Sequence, residues 1–259
     1  MSKPILSFQL WSSRREQSLS KQLEVLSSAG YSDVQPHHAQ YDDPPALRRL
    51  FEEFGLTARS AHINYDMVAA SEIDSTVAAM QAIGAELVIM PWLPPPLIPT
   101  DRTGWQAMGN EMRQHAATFQ RAGMRFAWHN HGEELLPLPD GSFPIDHLLG
   151  DDLLWEIDIG WALSVGQNPE RWLERYSGRV PAIHVKDVPA EGTNLEEDGQ
   201  ITIGLGTVDW DSLWPKCIAA GAEIMVAEHD QPLDYADFAR GSIATMKALQ
   251  AKSGHNGSR

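Results

Sequence analysis

The chain has 259 residues, of which 42% are hydrophobic and 21% are charged, and its formal net charge is −15. This length is close to the roughly 250 residues of one α/β barrel and is enough to bury a large core. The acidic balance, without a local basic cluster, argues against a nucleic-acid partner because phosphate groups would be repelled.

The sequence also lacks the features of an exported or membrane protein. Its single cysteine, Cys217, excludes an intrachain disulfide and suits a reducing compartment. The chain becomes polar too soon after Met1 for a signal peptide, and no apolar run approaches the ~20 residues of a membrane span. We therefore expect a cytoplasmic protein with no membrane partner.

Short apolar runs of strand character alternate with amphipathic helical segments along the chain. The first run, 5–11, is followed by a helix over 19–29 that Gly30 ends. Further strands are predicted at 31–36, 56–63, 86–92, 124–129, 153–158, 180–188 and 223–228. Further helices are predicted at 44–54, 71–83, 104–121, 145–149, 168–176, 210–220 and 235–251.

Eight strand and helix alternations predict a (β/α)8 TIM barrel, with 1–251 as a single domain. Parallel strands need crossover connections, and a closed barrel leaves no strand edge unpaired. A doubly wound sheet is the alternative, but residues 11–15 lack the glycine-rich phosphate turn that such folds carry after the first strand. Residues 252–259 are predicted to be a disordered tail.

Ionisable residues follow several of the predicted strands, at the end of a barrel where active sites lie. Asp158, His184 and Glu228 each end an aliphatic run, and Glu134 lies just past the fifth strand. Carboxylates and imidazoles that converge in one barrel mouth would be costly to desolvate unless a cation held them. We predict that these four residues bind one divalent metal ion. Oxygen and nitrogen ligands suit Mn²⁺, our preferred ion, and also Mg²⁺, Co²⁺, Fe²⁺ or Zn²⁺.

Other polar and aromatic residues near the strand ends are candidates for substrate binding. His62, His129 and His131 are expected to hydrogen-bond substrate or to orient the metal ligands. Lys186 could bind an oxyanion or form a plain salt bridge. Trp161 could form an apolar wall for a sugar ring or simply pack in the rim.

Six segments together resemble the sugar phosphate isomerase/epimerase superfamily of xylose-isomerase-like barrels. They are 129–131 (His-Asn-His) with Glu134, 158–161 (Asp-Ile-Gly-Trp), 169–181, 184–187 (His-Val-Lys-Asp), 204–210 and 228–230 (Glu-His-Asp). The resemblance implies a divalent metal held by Glu134, Asp158, His184 and Glu228. It also implies substrates that are free or phosphorylated sugars, inositol derivatives or keto-sugars.

The chain departs from the pattern of that superfamily at two positions. Many relatives end the second strand with a glutamate, where this chain has Gln35, and an aromatic residue often stands at the position of Leu135. The second departure leaves His129 as an alternative to Glu134 for the first metal ligand.

The leading functional prediction is a sugar isomerase or epimerase that works through a cis-enediolate. Glu134 and Glu228 would move a proton next to a carbonyl from opposite sides of the sugar. Two alternatives remain open: a metal-dependent dehydratase or β-eliminating lyase on a keto-inositol or 3-keto-glycoside, and a non-catalytic sugar-binding barrel. The expected partner is a small sugar or polyol, and homo-oligomerisation is left open.

Overall fold

The computed structural model describes residues 3–256, the last two by their backbone alone. Eight strands form one sheet in the order β2-β1-β8-β7-β6-β5-β4-β3, and every paired neighbour is parallel. The strands are β1 Ile5–Gln9, β2 Asp33–Gln35, β3 Ser60–His62, β4 Leu87–Met90, β5 Arg125–His129, β6 Leu154–Asp158, β7 Ala182–Val185 and β8 Ile224–Ala227.

The two end strands of this order, β2 and β3, meet through backbone hydrogen bonds at both ends. Val34 N donates to Thr57 O at 2.8 Å, and His62 N donates to Pro36 O at 2.9 Å. The sheet is thereby a nearly closed cylinder, and the predicted (β/α)8 barrel is confirmed.

Nine α-helices surround the cylinder within residues 3–256. They are α1 Leu19–Ala29, α2 Pro44–Glu53, α3 Ile73–Ile83, α4 Arg102–Arg121, α5 Pro144–Leu149, α6 Ile159–Ser164, α7 Pro169–Arg175, α8 Trp210–Ala219 and α9 Tyr235–Asn256. None of these helices combines the length and apolar character needed to cross a membrane.

Two helices differ from the sequence prediction. Helix α6 was not expected; it begins directly after β6 because the Asp158 side chain accepts a hydrogen bond from Trp161 N at 2.8 Å and caps the first turn. Helix α9 continues through Asn256, past Ala251, into the predicted disordered tail. The rest of that tail, 257–259, lies outside the described residues.

The barrel interior changes from apolar to polar along the strands. One small core cluster contains side chains from a single face of β4, β5, β7 and β8, among them Ile89, Ala127 and Ile224. Because side chains alternate between the two faces of a strand, the residues two positions further along point the same way. In β5 and β8 these are His129, after Ala127, and Glu228, after Val226. On the side of β4, β5, β7 and β8 the barrel therefore has an apolar floor beneath a polar layer.

One buried carboxylate near the start of β2 gives a testable pH dependence of stability. Burial raises the pKa of Asp33 to about 6, despite hydrogen bonds from Thr57 Oγ1 at 2.6 Å and Arg59 N at 3.1 Å. The pKa of Asp33 is higher in the folded protein than in the unfolded chain, so protonation of this carboxyl favours folding. Its contribution to the unfolding free energy is complete below about pH 4 and is lost as the pH rises through 6. Between pH 4 and 8 we expect the unfolding free energy of Asp33→Asn to rise relative to wild type by about 3 kcal/mol.

Urea unfolding of both proteins at the two pH values measures this change. Asp42 is exposed, and Asp42→Asn is the matched control, with an expected change below about 0.5 kcal/mol at either pH. A difference between Asp33→Asn and wild type that does not vary with pH would show that Asp33 ionises normally.

Candidate active site

Three of the four predicted metal ligands meet at the carboxyl ends of β6, β7 and β8. Asp158, His184 and Glu228 are buried, and each offers a ligand atom within 4.8 Å of the other two. His184 Nδ1 lies 3.1 Å from Glu228 Oε2 and 3.7 Å from Asp158 Oδ2. Strand alternation produces this convergence, because all three side chains point into the barrel.

Lys186 lies among the carboxylates of this cluster. Its Nζ atom is 3.0 Å from Asp158 Oδ2, 2.6 Å from Glu228 Oε2 and 2.8 Å from Asp230 Oδ2. Burial alone would lower the pKa of Lys186, but Asp158, Asp230 and Glu228 raise it well above its ordinary value. The ammonium group is therefore charged, and the structure contains the salt bridge that was one of the two interpretations of this residue.

A second buried cluster lies deeper in the barrel, around a glutamate that the sequence analysis missed. Glu156 Oε2 is 2.6 Å from His62 Nε2, 3.2 Å from His129 Nδ1 and 3.2 Å from His184 Nε2. Burial alone would raise the pKa of Glu156, but His184 and His62 hold it well below its ordinary value. His62 and His129 both contact this buried carboxylate, and their predicted role in binding substrate or orienting the metal ligands stays a prediction.

Two glutamine side chains connect β1 and β2 to this cluster. Gln35 Nε2 donates to Glu156 Oε1 at 2.7 Å and to Ser60 Oγ at 2.8 Å. Gln35 Oε1 lies 2.7 Å from both Gln9 Nε2 and His184 Nε2. The glutamine at the end of β2, where many relatives have a glutamate, is thus part of the polar layer.

Glu134, the fourth predicted ligand, lies apart from these two clusters. Its oxygens accept hydrogen bonds from Trp128 Nε1 at 3.3 Å and His131 N at 2.9 Å. Burial and the neighbouring Glu133 raise the pKa of Glu134 to about 8. It belongs to neither group of potential ligand atoms found among residues 3–256. Its role as a ligand or base stays a prediction.

His131 and Trp161 form a half-buried pair near the first cluster. Their ring centroids are 5.5 Å apart, and Lys186 Nζ lies 5.3 Å from the Trp161 ring. His131 Nδ1 and Trp161 Nε1 are buried and have no hydrogen-bond partner within the described chain. Burial, His129 and Lys186 lower the pKa of His131 to about 4. Two buried polar atoms of this pair thus lack a protein partner among residues 3–256, and a role of His131 and Trp161 in substrate binding stays a prediction.

The donor set at Asp158, His184 and Glu228 fits a divalent cation. Two carboxylates and one imidazole nitrogen are typical ligands of Mn²⁺, Mg²⁺, Fe²⁺ and Zn²⁺ sites. Carboxylates buried this close together need positive charge among them, and Lys186 already supplies one such charge. This part of the chain could therefore hold one metal ion, and His129 lies near it through its contact with the His184 ring, at 4.4 Å between centroids.

Comparison with known proteins identifies the class to which this barrel belongs. The family model for the xylose isomerase-like TIM barrel matches residues 23–249. The chain therefore belongs to the xylose isomerase-like TIM barrel family, which confirms the resemblance drawn from the six segments. Family membership and the buried ionisable clusters together indicate an enzyme of this superfamily.

Individual relatives are distant but cover nearly the whole chain. The sequence is 23% identical over 262 residues to the inosose dehydratase of Geobacillus kaustophilus (strain HTA426), covering 85% of each protein. The fold is similar to that of a sugar phosphate isomerase/epimerase from Parabacteroides distasonis ATCC 8503, with a TM-score of 0.76, 17% identity and coverage of 96% of this chain and 95% of that chain. It is also similar to the IOLI protein with a bound zinc atom, with a TM-score of 0.74, 14% identity and coverage of 97% and 99%.

Proposed function

We propose that the protein is a divalent-metal-dependent lyase that dehydrates a keto-polyol of the keto-inositol class. The observation that carries this proposal is the convergence of Asp158, His184 and Glu228 on one point, with Lys186 beside them. The similarity to an inosose dehydratase over 85% of both chains supports dehydration as the outcome.

The metal site would lie where Asp158, His184 and Glu228 meet. A divalent ion bound there supplies positive charge that stabilises negative charge on carbonyl and hydroxyl oxygens of the substrate. The zinc atom in the related IOLI structure supports a metal in this fold. Mn²⁺ remains the preferred ion, with Mg²⁺, Co²⁺, Fe²⁺ and Zn²⁺ as alternatives.

Glu228 is the proposed general base. Its side chain is 7% exposed, whereas those of Asp158 and His184 are fully enclosed, so it is the member of the cluster that a substrate can touch. Its carboxylate would take the proton on the carbon next to the substrate carbonyl. The carbon–hydrogen electrons then move toward the carbonyl oxygen.

Lys186 and the rim residues would complete the elimination. The charged ammonium of Lys186 lies 2.6 Å from Glu228 Oε2 and can stabilise the enolate, and the proton that Glu228 has taken would pass to the departing hydroxyl. The carbon–oxygen bond breaks, the hydroxyl leaves as water, and a carbon–carbon double bond forms. His131 Nδ1 and Trp161 Nε1, both without protein partners in the described residues, would bind the remaining hydroxyl groups.

The sugar isomerase predicted from the sequence is the second candidate. Isomerisation needs one base that returns the proton to the neighbouring carbon, and Glu228 alone could serve. An epimerase would need a second base on the opposite face of the substrate. Glu134, predicted for that role, is bonded to Trp128 and His131, so the geometry supports epimerisation less well.

Metal removal combined with product analysis tests the proposed function. We expect chelator-treated protein to be inactive on a keto-inositol and to regain activity with Mn²⁺ or Mg²⁺, because the enolate charge is otherwise uncompensated. Mass spectrometry should detect a product lighter by one water, and NMR of the Mg²⁺-loaded reaction in D₂O should detect the new alkene. A 3-keto-glycoside in the same panel tests β-elimination.

The same assay separates the candidate functions. A product that keeps every heavy atom of the substrate and, in D₂O, carries deuterium at one carbon would favour the isomerase over the dehydratase. Full activity after exhaustive chelation, verified by metal analysis, would exclude the metal-dependent proposal. Sugar binding without turnover of any keto-polyol would instead support the non-catalytic barrel.

A further inference from the structure

Both ring nitrogens of His184 face hydrogen-bond acceptors, and the acceptors on its two sides differ in kind. Nε2 faces the Gln35 amide at 2.7 Å and the Glu156 carboxylate at 3.2 Å. Nδ1 faces Glu228 and Asp158, two members of the proposed metal site. Which nitrogen carries the proton therefore decides which one can bind a metal.

The orientation of the Gln35 amide follows from a backbone donor on the neighbouring strand. Trp11 N can only donate, and its hydrogen bond of 3.2 Å identifies the acceptor on the Gln9 side chain as Oε1. Gln9 must then present Nε2 to Gln35, at 2.7 Å, so the atom of Gln35 that receives it is Oε1.

The same oxygen of Gln35 fixes the proton on His184. Because Gln35 Oε1 can only accept, His184 Nε2 must donate to it. Glu156 Oε2 is a second acceptor on this side of the ring. Nε2 therefore carries a proton, which leaves Nδ1, on the side of Asp158 and Glu228, as the ring nitrogen that can bind a metal.

Glu156 is itself held in place by other side chains. His62 Nε2 at 2.6 Å and His129 Nδ1 at 3.2 Å contact its Oε2, and Gln35 Nε2 donates to its Oε1. With no exposed surface, this carboxylate cannot swing toward the metal site without breaking those contacts. It is placed to orient His184.

We propose, on the basis of the metal-dependent function above, that Glu156 and Gln35 are positioning residues that hold the His184 proton on Nε2 and present Nδ1 to the metal. A hydrogen bond from the non-ligating nitrogen to a carboxylate fixes the tautomer and raises the basicity of a histidine ligand. In this chain an amide on β2 and a carboxylate on β6 share that task.

Metal affinity of two variants tests the positioning role. Glu156→Gln can offer an amide N–H toward His184 Nε2, which favours the wrong tautomer, and Gln35→Met removes an acceptor at similar volume. For each we expect Mn²⁺ affinity, measured by isothermal titration of chelator-treated full-length protein, to fall by about 10- to 100-fold. Circular dichroism verifies that each variant is folded.

Ser60→Ala is the matched control for these variants. Ser60 accepts a hydrogen bond from Gln35 Nε2, and its loss leaves both acceptors of His184 Nε2 in place. We expect its Mn²⁺ affinity to remain within about threefold of wild type, below the effect of losing a direct partner of the ligand. Wild-type affinity in both Glu156→Gln and Gln35→Met would overturn the positioning role while leaving the metal-dependent function intact.

Imidazole nitrogen spectra provide a readout that a purely structural role would not change. In Zn²⁺-loaded, ¹⁵N-histidine-labelled protein, the signal lost in His184→Asn should show a protonated Nε2 and a metal-bound Nδ1. A metal-bound Nε2, or two bound metals per chain, would place an ion among His62, His129 and Glu156 and overturn the proposal. Wild-type protein that binds no divalent metal would overturn the proposed function together with this inference.

Discussion

Glu228→Gln is expected to lower kcat on the true substrate by about 10²- to 10⁴-fold, the range found for removal of a general base. Glutamine keeps the size of the side chain, but it can neither accept the substrate proton nor supply negative charge to a metal. Burial alone would raise the pKa of Glu228, but Lys186 and His184 hold it well below its ordinary value. The wild-type residue is therefore ionised at neutral pH, as a general base must be.

The matched control is Glu223→Gln, the same substitution at the opposite end of β8. Glu223 forms two hydrogen bonds of 2.7 Å with Arg125 at the amino-terminal end of the barrel, far from the clustered carboxylates. We expect kcat within about twofold of wild type for Glu223→Gln, since exposed substitutions rarely perturb a distant site. If folded and metal-loaded Glu228→Gln turns over at the wild-type rate, Glu228 is not the base.

The sequence predicted the convergence of Asp158, His184 and Glu228 because two regularities combine there. Each residue ends an apolar run, and in a parallel barrel all strand ends of one polarity meet at one rim. The order of the strands then follows from the order of the chain, apart from the seam between β2 and β3. Residues far apart in sequence could thus be assigned to one site without coordinates.

Glu156 was missed because β6 was interpreted as apolar up to Asp158, and Gln35 was noted only as a departure from the pattern of the superfamily. A signal was nevertheless present: Glu156 precedes Asp158 by two positions, so both side chains point to the same face of β6. What the sequence could not provide is the register that brings Gln35 to within 2.7 Å of Glu156 and His184. That register depends on barrel closure across several strands.

For Glu134, the sequence suggested a position near the site but could not give the direction of the side chain. Glu134 lies shortly after the end of β5, and this position suggested a site residue. Side chains alternate between two faces only within a strand, however, so the pattern does not extend to Glu134. Glu134 lies in a short 3₁₀ turn, Glu133–Leu135, which directs its carboxylate toward Trp128 and the backbone of His131. Side-chain direction after a strand depends on loop geometry, which the residue types alone do not define.

Lys186→Met is expected to destabilise the metal-free protein by about 3–5 kcal/mol, the cost of breaking a buried ion pair by removing one partner. Methionine fills a similar volume but leaves Asp158, Glu228 and Asp230 without the ammonium that contacts all three. A divalent cation bound at the proposed metal site would supply positive charge to the carboxylates of Asp158 and Glu228, but not to that of Asp230. Saturating Mn²⁺ should therefore restore more stability to the variant than it adds to wild type.

Urea unfolding of wild type and Lys186→Met, each with chelator and with Mn²⁺, measures both effects. Lys216→Met is the matched control, because Lys216 forms an ion pair of 2.5 Å with Glu170 while its side chain is 39% exposed, and such pairs contribute only about 0–1 kcal/mol. An equal loss of stability with and without Mn²⁺ would mean that the cation does not reach the carboxylates that Lys186 neutralises. A larger loss without Mn²⁺ would mean that the ammonium and the cation compensate the same buried charge, as expected if Asp158 and Glu228 belong to the metal site.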